Sequence, residues 1–351
     1  MDGCFPLHCI VPPYMLEAIE VRGTAEQREA AAQIAEQAAA YRAERVADTP
    51  ETGFVVAAVL KKVPGPKREV YDAAGGTDLP GRLMRSEGDD ATGEGAVDEA
   101  YDGAGDTYSF FSEEYGRDSL DGAGLTLRSS VHVGKGLDNA FWNGQQMAYG
   151  DGKMIFNGLT HSLTVIGHEL THGVVQFSGG LVYRDQAGAL NESLADVFGS
   201  LVAQRKRGQS SAEASWLIGE EVLRDDVSGD ALRSLKAPGT AYDDDVLGTD
   251  PQPFHMSDYV NTSSDKGGVH INSGIPNHAF YLLAQYLGGN AWEKAGQIWY
   301  DSLQAIRRPH ATFSDWAAQT VACARERYSA GSREEIYTRR VWRLVGVEFA
   351  A

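Results

Sequence analysis

The stretch GHELTHG (residues 167–173) decides how the rest of the chain is read. It sets His168 and His172 four positions apart, with Glu169 directly after the first histidine. On a helix, positions i and i+4 share a face, so two imidazoles can point at one ion. The plainer alternative is a buried helix whose histidines are simply hydrogen-bonded. Two imidazoles do not complete a catalytic metal site, which needs a third ligand from His, Glu, Asp or Cys. One known solution places that ligand six residues past the second histidine, but Val175 and Ser178 occupy the positions it needs. Glu192, in GALNESLADVFG (188–199), is the better candidate. The intervening SGGLVYRDQAG (178–188) can turn the chain back, so that two antiparallel helices face each other across the ion.

Asp196 lies four residues beyond Glu192 and shares its face. A metal-bound histidine usually gives its other N–H to a carboxylate or carbonyl oxygen. Asp196 is expected to serve His168, and Asn191 to serve His172. A solvated helix charge is the alternative for Asp196. Two neutral imidazoles and one carboxylate suit Zn²⁺ and leave one position open, where water becomes acidic near neutrality. Glu169 would lie beside the ion but point past it. A carboxylate there can take the water's proton and hand it to a leaving amine.

The remaining composition bounds the function. The chain has 351 residues, 42% of them hydrophobic, which is enough for one large two-lobed domain or two modest ones. A formal charge of −18 argues against nucleic acid or an anionic membrane as partner. The three cysteines, Cys4, Cys9 and Cys323, form no disulfide framework. No run of apolar residues is long enough to span a bilayer. The opening MDGCFPLHCIVPPYML has no basic leader and no long apolar run, so it does not read as an ordinary secretory signal. The expectation is a monomer exported by another route, with a cytoplasmic location as the alternative.

Residues 24–46 are rich in Ala, Glu, Gln and Arg and predict one amphipathic helix with Thr24 as its cap. FVVAAVL (54–60) predicts a strand, with a domain boundary somewhere in 50–67. Residues 68–160 carry short alternating runs such as LTLRSSVHV (125–133) and predict a β-rich lobe. The acidic, glycine-rich stretch 86–106 reads as a loop within it. From 161 onward apolar residues recur at helical spacing in six segments, with Ser314 and Ser332 as expected caps and Ser332–Glu335 as a capping box. The predicted division is 1–52, then a β-rich lobe over 53–177 ending in the HELTH helix, then an α-helical lobe over 178–351.

Several separated strings, in order, resemble one family: DNAFWNGQQMAYGDG (138–152), GHELTHGVVQF (167–177), GLVYRDQAGALNESLADVFG (180–199), WLIGE (216–220), GDALRSL (229–235) and DKGGVHINSGIPNHAFYLL (265–283). The chain resembles the thermolysin family of zinc metalloproteases, in particular its short-precursor branch. The resemblance covers most of 68–351. It implies an α+β, two-lobed fold with the zinc helix between the lobes. It implies His168, His172 and Glu192 as zinc ligands and Glu169 as base. His270 would stabilise the oxyanion, Asp265 would orient His270, and Tyr183 would give a second hydrogen bond, all where negative charge grows in the transition state. Asn139, the Ala140 carbonyl and Arg233 would hold the substrate main chain. Phe156, Leu159, Val165, Ile218 and Leu232 would line an apolar pocket, implying cleavage on the N-terminal side of bulky hydrophobic residues in proteins and peptides.

The family's paired Ca²⁺ site draws carboxylates from positions that here read Thr164, Ala203, Ser215 and Glu220. Two adjacent Ca²⁺ ions need several anionic oxygens, so that double site is expected to be lost. CIVPPYMLEAI (9–19) resembles the short propeptide of this branch, which would cover the cleft in cis and be removed by the protease itself. Pro12 and Pro13 stiffen this piece for an extended path across the cleft. A thiolate from Cys9 or Cys4 could then occupy the open position on the zinc; an ordinary packed thiol is the alternative. Two rival functions share the zinc set: an aminopeptidase, and a zinc-binding protein without catalysis.

Overall fold

The computed structural model describes residues 8–47, 65–152 and 156–349. The expected strand over 54–60, the boundary near 52 and Cys4 lie outside the described residues. The chain opens with β1 (His8–Cys9), α1 (Pro13–Arg22) and α2 (Ala25–Ala47). Thr24 and Gln27 close the start of α2 reciprocally: Thr24 Oγ1 accepts the Gln27 amide at 3.2 Å, and Gln27 Oε1 accepts the Thr24 amide at 2.8 Å. The sheet lobe follows with β2 (Arg68–Asp72), β3 (Arg82–Ser86), α3 (Gly95–Tyr115), β4 (Leu127–Val131), β5 (Ala140–Trp142) and β6 (Met147–Tyr149). Six strands pair in the order β1-β5-β6-β4-β2-β3. β4 runs parallel to both β2 and β6, and the other pairings are antiparallel.

One expectation fails in this lobe. The stretch 86–106 is a loop only as far as Glu94, and its second half enters the helix α3. Glu94 caps that helix by accepting the amides of Ala96 and Val97 at 3.3 and 2.8 Å. Gly103 and Gly105 within it are there for close approach and not for turning. A Cβ at Gly103 would meet Ile166 at 2.4 Å, and one at Gly105 would meet the Arg68 guanidinium at 2.2 Å. Helix-breaking composition was outweighed by packing against the neighbouring elements.

The second lobe is helical. α4 (Leu163–Gln176) carries HELTH, and α5 (Asp185–Arg207) carries Glu192. Four short strands follow as two hairpin pairs, β7 (Leu217–Ile218) with β8 (Arg233–Ser234) and β9 (Asp243–Asp244) with β10 (Gly248–Thr249). The chain ends in α6 (Asp265–Asn272), α7 (Gly274–Leu287), α8 (Ala295–Ala305), α9 (Phe313–Tyr328) and α10 (Arg333–Leu344). Trp299 and Trp342 stack within this lobe with ring centroids 5.8 Å apart. Ser314 does not cap α9; Thr312 does, in a reciprocal box with Asp315. Ser332 caps α10 by accepting the Glu335 amide, but the Glu335 carboxylate reaches Gly331 and not Ser332.

The two lobes make an α+β architecture, and the crossing of α4 and α5 sets the position of the site. Their backbones meet at Gly167 and Gly199. A Cβ at Gly167 would lie 3.0 Å from the Gly199 Cα, and one at Gly199 would lie 2.6 Å from the Thr164 carbonyl oxygen and 2.8 Å from the His168 amide nitrogen. Without side chains at the crossing, the helices come close enough for His168 to face α5.

Candidate metal centre

His168, His172 and Glu192 are fully buried, and their ligand atoms all lie within 4.8 Å of one another. The two Nε2 atoms face each other at 3.0 Å. Glu192 sits 3.6 Å from His168 Nε2 through Oε2 and 3.5 Å from His172 Nε2 through Oε1. The outer ring nitrogens are tied down: His168 Nδ1 to Asp196 Oδ1 and His172 Nδ1 to Asn191 Oδ1, both at 2.8 Å. An acceptor at each Nδ1 holds the proton there and turns the lone pair of Nε2 inward. Burial and the neighbouring His168 hold the His172 ring well below the ordinary histidine pKa, so it is neutral. Three electron-pair donors converge here, and Glu192 Oε2 has no hydrogen-bond partner. A buried cation is what satisfies such a set. Imidazole and carboxylate ligands in this number fit Zn²⁺ with a position to spare.

Glu169, next along α4, is also fully buried, and its Oε2 accepts the Trp142 amide at 2.9 Å. Burial first, and then the Glu192 charge, raise its pKa well above the ordinary carboxylate range. A cation in the site would draw it back down. On the opposite wall, Tyr183 donates a short hydrogen bond to Glu192 Oε1 and lies 3.1 Å from His270 Nε2. Burial and the Glu192 charge push the phenol up, so it keeps its proton and remains a donor.

His270 is positioned by a left-handed turn. Asp265, Lys266, Gly267 and Gly268 all have positive φ, which is why the segment DKGG carries two glycines. A Cβ at Gly267 would meet Asp185 Oδ1 at 2.1 Å. The turn brings the Asp265 carboxylate back over His270, where its oxygens meet the His270 amide at 2.8 Å and Nδ1 at 2.6 Å. Burial works against charge on this ring, but Asp265 and Glu192 outweigh it and raise the pKa.

Asp196 is a hub. Arg233 binds it through Nε and Nη2 at 2.9 Å, and Asn277 Nδ2 binds Oδ2 at 2.9 Å. Burial opposes its charge, but Arg233 and His168 hold the carboxyl well below its usual range. The β7–β8 ladder pairs Ile218 with Arg233, and Leu232 donates its amide to the Ile218 carbonyl at 2.9 Å. Phe156, Leu159, Val165, Ile218 and Leu232 are all buried in one apolar cluster. Thr164 Oγ1 accepts the Gly219 amide at 2.9 Å, and Ser215 bonds Glu220 at 3.1 Å.

The N-terminal segment lies in this cleft. β1 runs antiparallel to β5, with Cys9 opposite Phe141. The Ile10 amide donates to the Ala140 carbonyl at 3.1 Å, and the Val11 amide to Asn139 Oδ1 at 3.2 Å. Arg233 Nη1 donates to the Ile10 carbonyl at 3.1 Å. The Cys9 carbonyl oxygen meets His270 Nε2 at 3.1 Å. Cys9 is a buried thiol outside any disulfide, and its sulfur is not a member of the donor group formed by His168, His172 and Glu192. The extended path ends at Pro12; Pro13 starts α1, whose Met15, Leu16 and Ile19 are buried. The sequence reading missed Asn277, the Trp142 amide and the Gly167–Gly199 crossing. Asn277 stands inside a quoted string, but nothing in its spacing marks it.

A buried set of two histidines and one glutamate beside a further carboxylate, set where a sheet lobe meets a helical lobe, is the arrangement of a metallohydrolase. The model of the thermolysin metallopeptidase catalytic domain matches residues 59–176, and that of the α-helical domain matches 179–347. The chain belongs to the thermolysin metallopeptidase family and is a metalloendopeptidase. It is 48% identical to an extracellular metalloprotease of Pectobacterium carotovorum subsp. carotovorum over 98% of this chain and 97% of that relative. It is 38% identical to a thermolysin of Alicyclobacillus acidocaldarius over 79% of this chain and 50% of that one. The solved precursor of protealysin, a metalloproteinase from Serratia proteamaculans, superposes with a TM-score of 0.86 at 47% identity, covering 97% of this chain and 100% of that one. Among the described residues, no helix is long and apolar enough to cross a membrane.

Proposed function

We propose that this chain is a zinc-dependent endopeptidase that cuts peptide bonds on the N-terminal side of bulky hydrophobic residues and is made as an autoprocessed zymogen. The observation that carries the reading is the convergence of His168 Nε2, His172 Nε2 and Glu192 on one buried point. These three residues would hold the zinc, which supplies Lewis acidity and lowers the pKa of water. Asp196 and Asn191 orient the two imidazoles. Glu169, raised in basicity by burial, accepts a proton from the attacking water and passes it to the leaving nitrogen. His270 Nε2 and the Tyr183 hydroxyl face the same spot and stabilise the oxyanion, with Asp265 holding the ring.

Asn139, the Ala140 carbonyl and Arg233 grip the substrate backbone just past the cut, while the five apolar side chains from Phe156 to Leu232 accept its side chain. Residues 1–52 act as the propeptide, 53–177 as the sheet lobe and 178–351 as the helical lobe. The extracellular name of the Pectobacterium relative favours a secreted enzyme. Casein digestion tests the reading. Wild type should digest it in a chelator-sensitive way, and Glu169→Ala should lose at least about 10²-fold in kcat, the usual loss on removing general-base catalysis. A variant as active as wild type rejects the assignment.

A further inference from the structure

We infer that residues 8–11 lie in the cleft in the register of a substrate, and that Cys9–Ile10 is a peptide bond this protein hydrolyses in its own chain. The inference rests on the proposed peptidase function. A segment that merely plugged a cleft would have no reason to satisfy its backbone one residue at a time. Here the contacts follow the backbone in order through Cys9, Ile10 and Val11. The Cys9 carbonyl faces His270 Nε2 at 3.1 Å, the Ile10 amide faces the Ala140 carbonyl at 3.1 Å, the Ile10 carbonyl accepts from Arg233 at 3.1 Å, and the Val11 amide reaches Asn139. Upstream, β1 continues antiparallel along β5, with His8 opposite Trp142. Strand addition to an exposed sheet edge fixes both direction and register. Only the Cys9–Ile10 amide lies between the oxyanion donor and the backbone clamp. Ile10 is fully buried.

The step consumes one water. Its oxygen bonds to the Cys9 carbonyl carbon, the C–N bond to Ile10 breaks, Cys9 keeps a carboxylate, and the Ile10 nitrogen leaves as an amine with the proton carried by Glu169. No oxidant or reductant enters. The cut separates two functions of the segment. The piece ending at Cys9 is cut away from α1 and dissociates, whereas Ile10 onward stays docked through α1 and its buried Met15, Leu16 and Ile19. Release also removes Cys4 and Cys9, leaving Cys323 as the remaining cysteine.

The zinc-loaded full chain, incubated at several dilutions, tests this by intact mass. A species beginning at Ile10 should accumulate with first-order kinetics independent of protein concentration, and titratable thiols in denaturant should fall in step. Glu169→Ala should stay intact; an equal cut in that variant would assign the cleavage to another protease and overturn the inference. A readout free of turnover uses the same variant labelled with uniformly ¹³C cysteine and ¹⁵N isoleucine. That pairing marks the Cys9–Ile10 bond alone, because Cys4 precedes Phe5 and Cys323 precedes Ala324. Added zinc should move the Cys9 carbonyl resonance. A carbonyl that stays put while the Cys9 β-carbon moves would put sulfur at the metal and overturn the inference. Casein digestion with Cys9–Ile10 intact overturns it while the proposed function stands; loss of both activities rejects the two together.

Discussion

His168 and His132 are each flanked by carboxylates, but the two clusters have opposite electrostatics. His132 Nδ1 meets Asp151 at 2.6 Å and its Nε2 meets Glu94 at 3.4 Å. Both ring nitrogens face an anion, so a protonated imidazole is compensated where it stands, at 28% side-chain exposure. His168 has Asp196 at Nδ1 and the Glu192 carboxylate 3.6 Å from Nε2. Its Nε2 faces another lone pair, that of His172, and the Glu192 oxygens, with no exposure at all. Residue types barely distinguish a histidine bridge from a metal centre. The difference lies in whether the second nitrogens of two rings also face one another, and in whether water can relieve the mismatch.

The sharpest way to break the comparison is to delete the carboxylate on the metal side. Glu192→Ala leaves two neutral imidazoles and no anionic ligand. Zinc affinity should fall by more than about 100-fold, beyond the usual loss of an outer-shell partner. Metal analysis after desalting checks this: zinc retained at wild-type level would mean that the ion sits elsewhere.

Next in size is Gly199→Ala. The added methyl would meet backbone atoms of α4, and backbone cannot rotate aside as a side chain can. The helices must separate, at a cost of about 1–3 kcal/mol by analogy with other overpacked positions. Because His168 rides on the displaced turn, zinc affinity should fall together with stability. Urea unfolding and zinc competition on the same sample check the coupling; a stable variant with weakened zinc binding would uncouple them.

Asp196→Asn keeps the shape and removes the charge. Its oxygens hold His168, Arg233 and Asn277 together, so the substitution loosens both the metal ligand and the guanidinium that grips the Ile10 carbonyl. Zinc affinity should weaken by about 10–100-fold, the range for outer partners of metal-bound histidines. Competition with a calibrated chelator measures it, and an unchanged constant would make Asp196 a partner of Arg233 alone.

How legible these features were in the sequence follows from their range. Helices α4 and α5 announce themselves through apolar spacing, and the pairing of His168 with Asp196 follows from the face that Asp196 shares with Glu192 at i+4, whereas Asn191, directly before Glu192, has no such spacing to mark it. The stretch 86–106 misled because glycine and aspartate signal loops locally, whereas Gly103 and Gly105 answer to Ile166 and Arg68, far away in sequence. Gly199 is a similar case: its need to be small comes from Thr164 and His168 across the crossing. Ser314 looked like a cap, but Thr312 had the better partner in Asp315 three residues on. Residues 9–19 read as an extended cover, yet the register of residues 8–11 in the cleft depends on Asn139, Ala140, Arg233 and His270, which no local pattern connects.

The smallest expected effect is on the other side of the comparison. Burial alone would lower the His132 pKa, but the hydrogen bond to Asp151 and the charges of Asp151, Glu94 and Asp72 outweigh it and raise the value above 6.5. A pKa raised on folding means that the folded state binds the proton more tightly. The stabilisation is therefore complete below about 6.5 and fades as pH rises through the folded value. His132→Gln removes the titration, so the stability difference between wild type and variant should be largest in mild acid and shrink toward alkaline pH. Solvent screening at this exposure limits it to under about 1 kcal/mol. Unfolding midpoints measured across that range check the sign. A difference that grows with pH would mean that the ring is held neutral, and the contrast with His168 would then rest on burial alone.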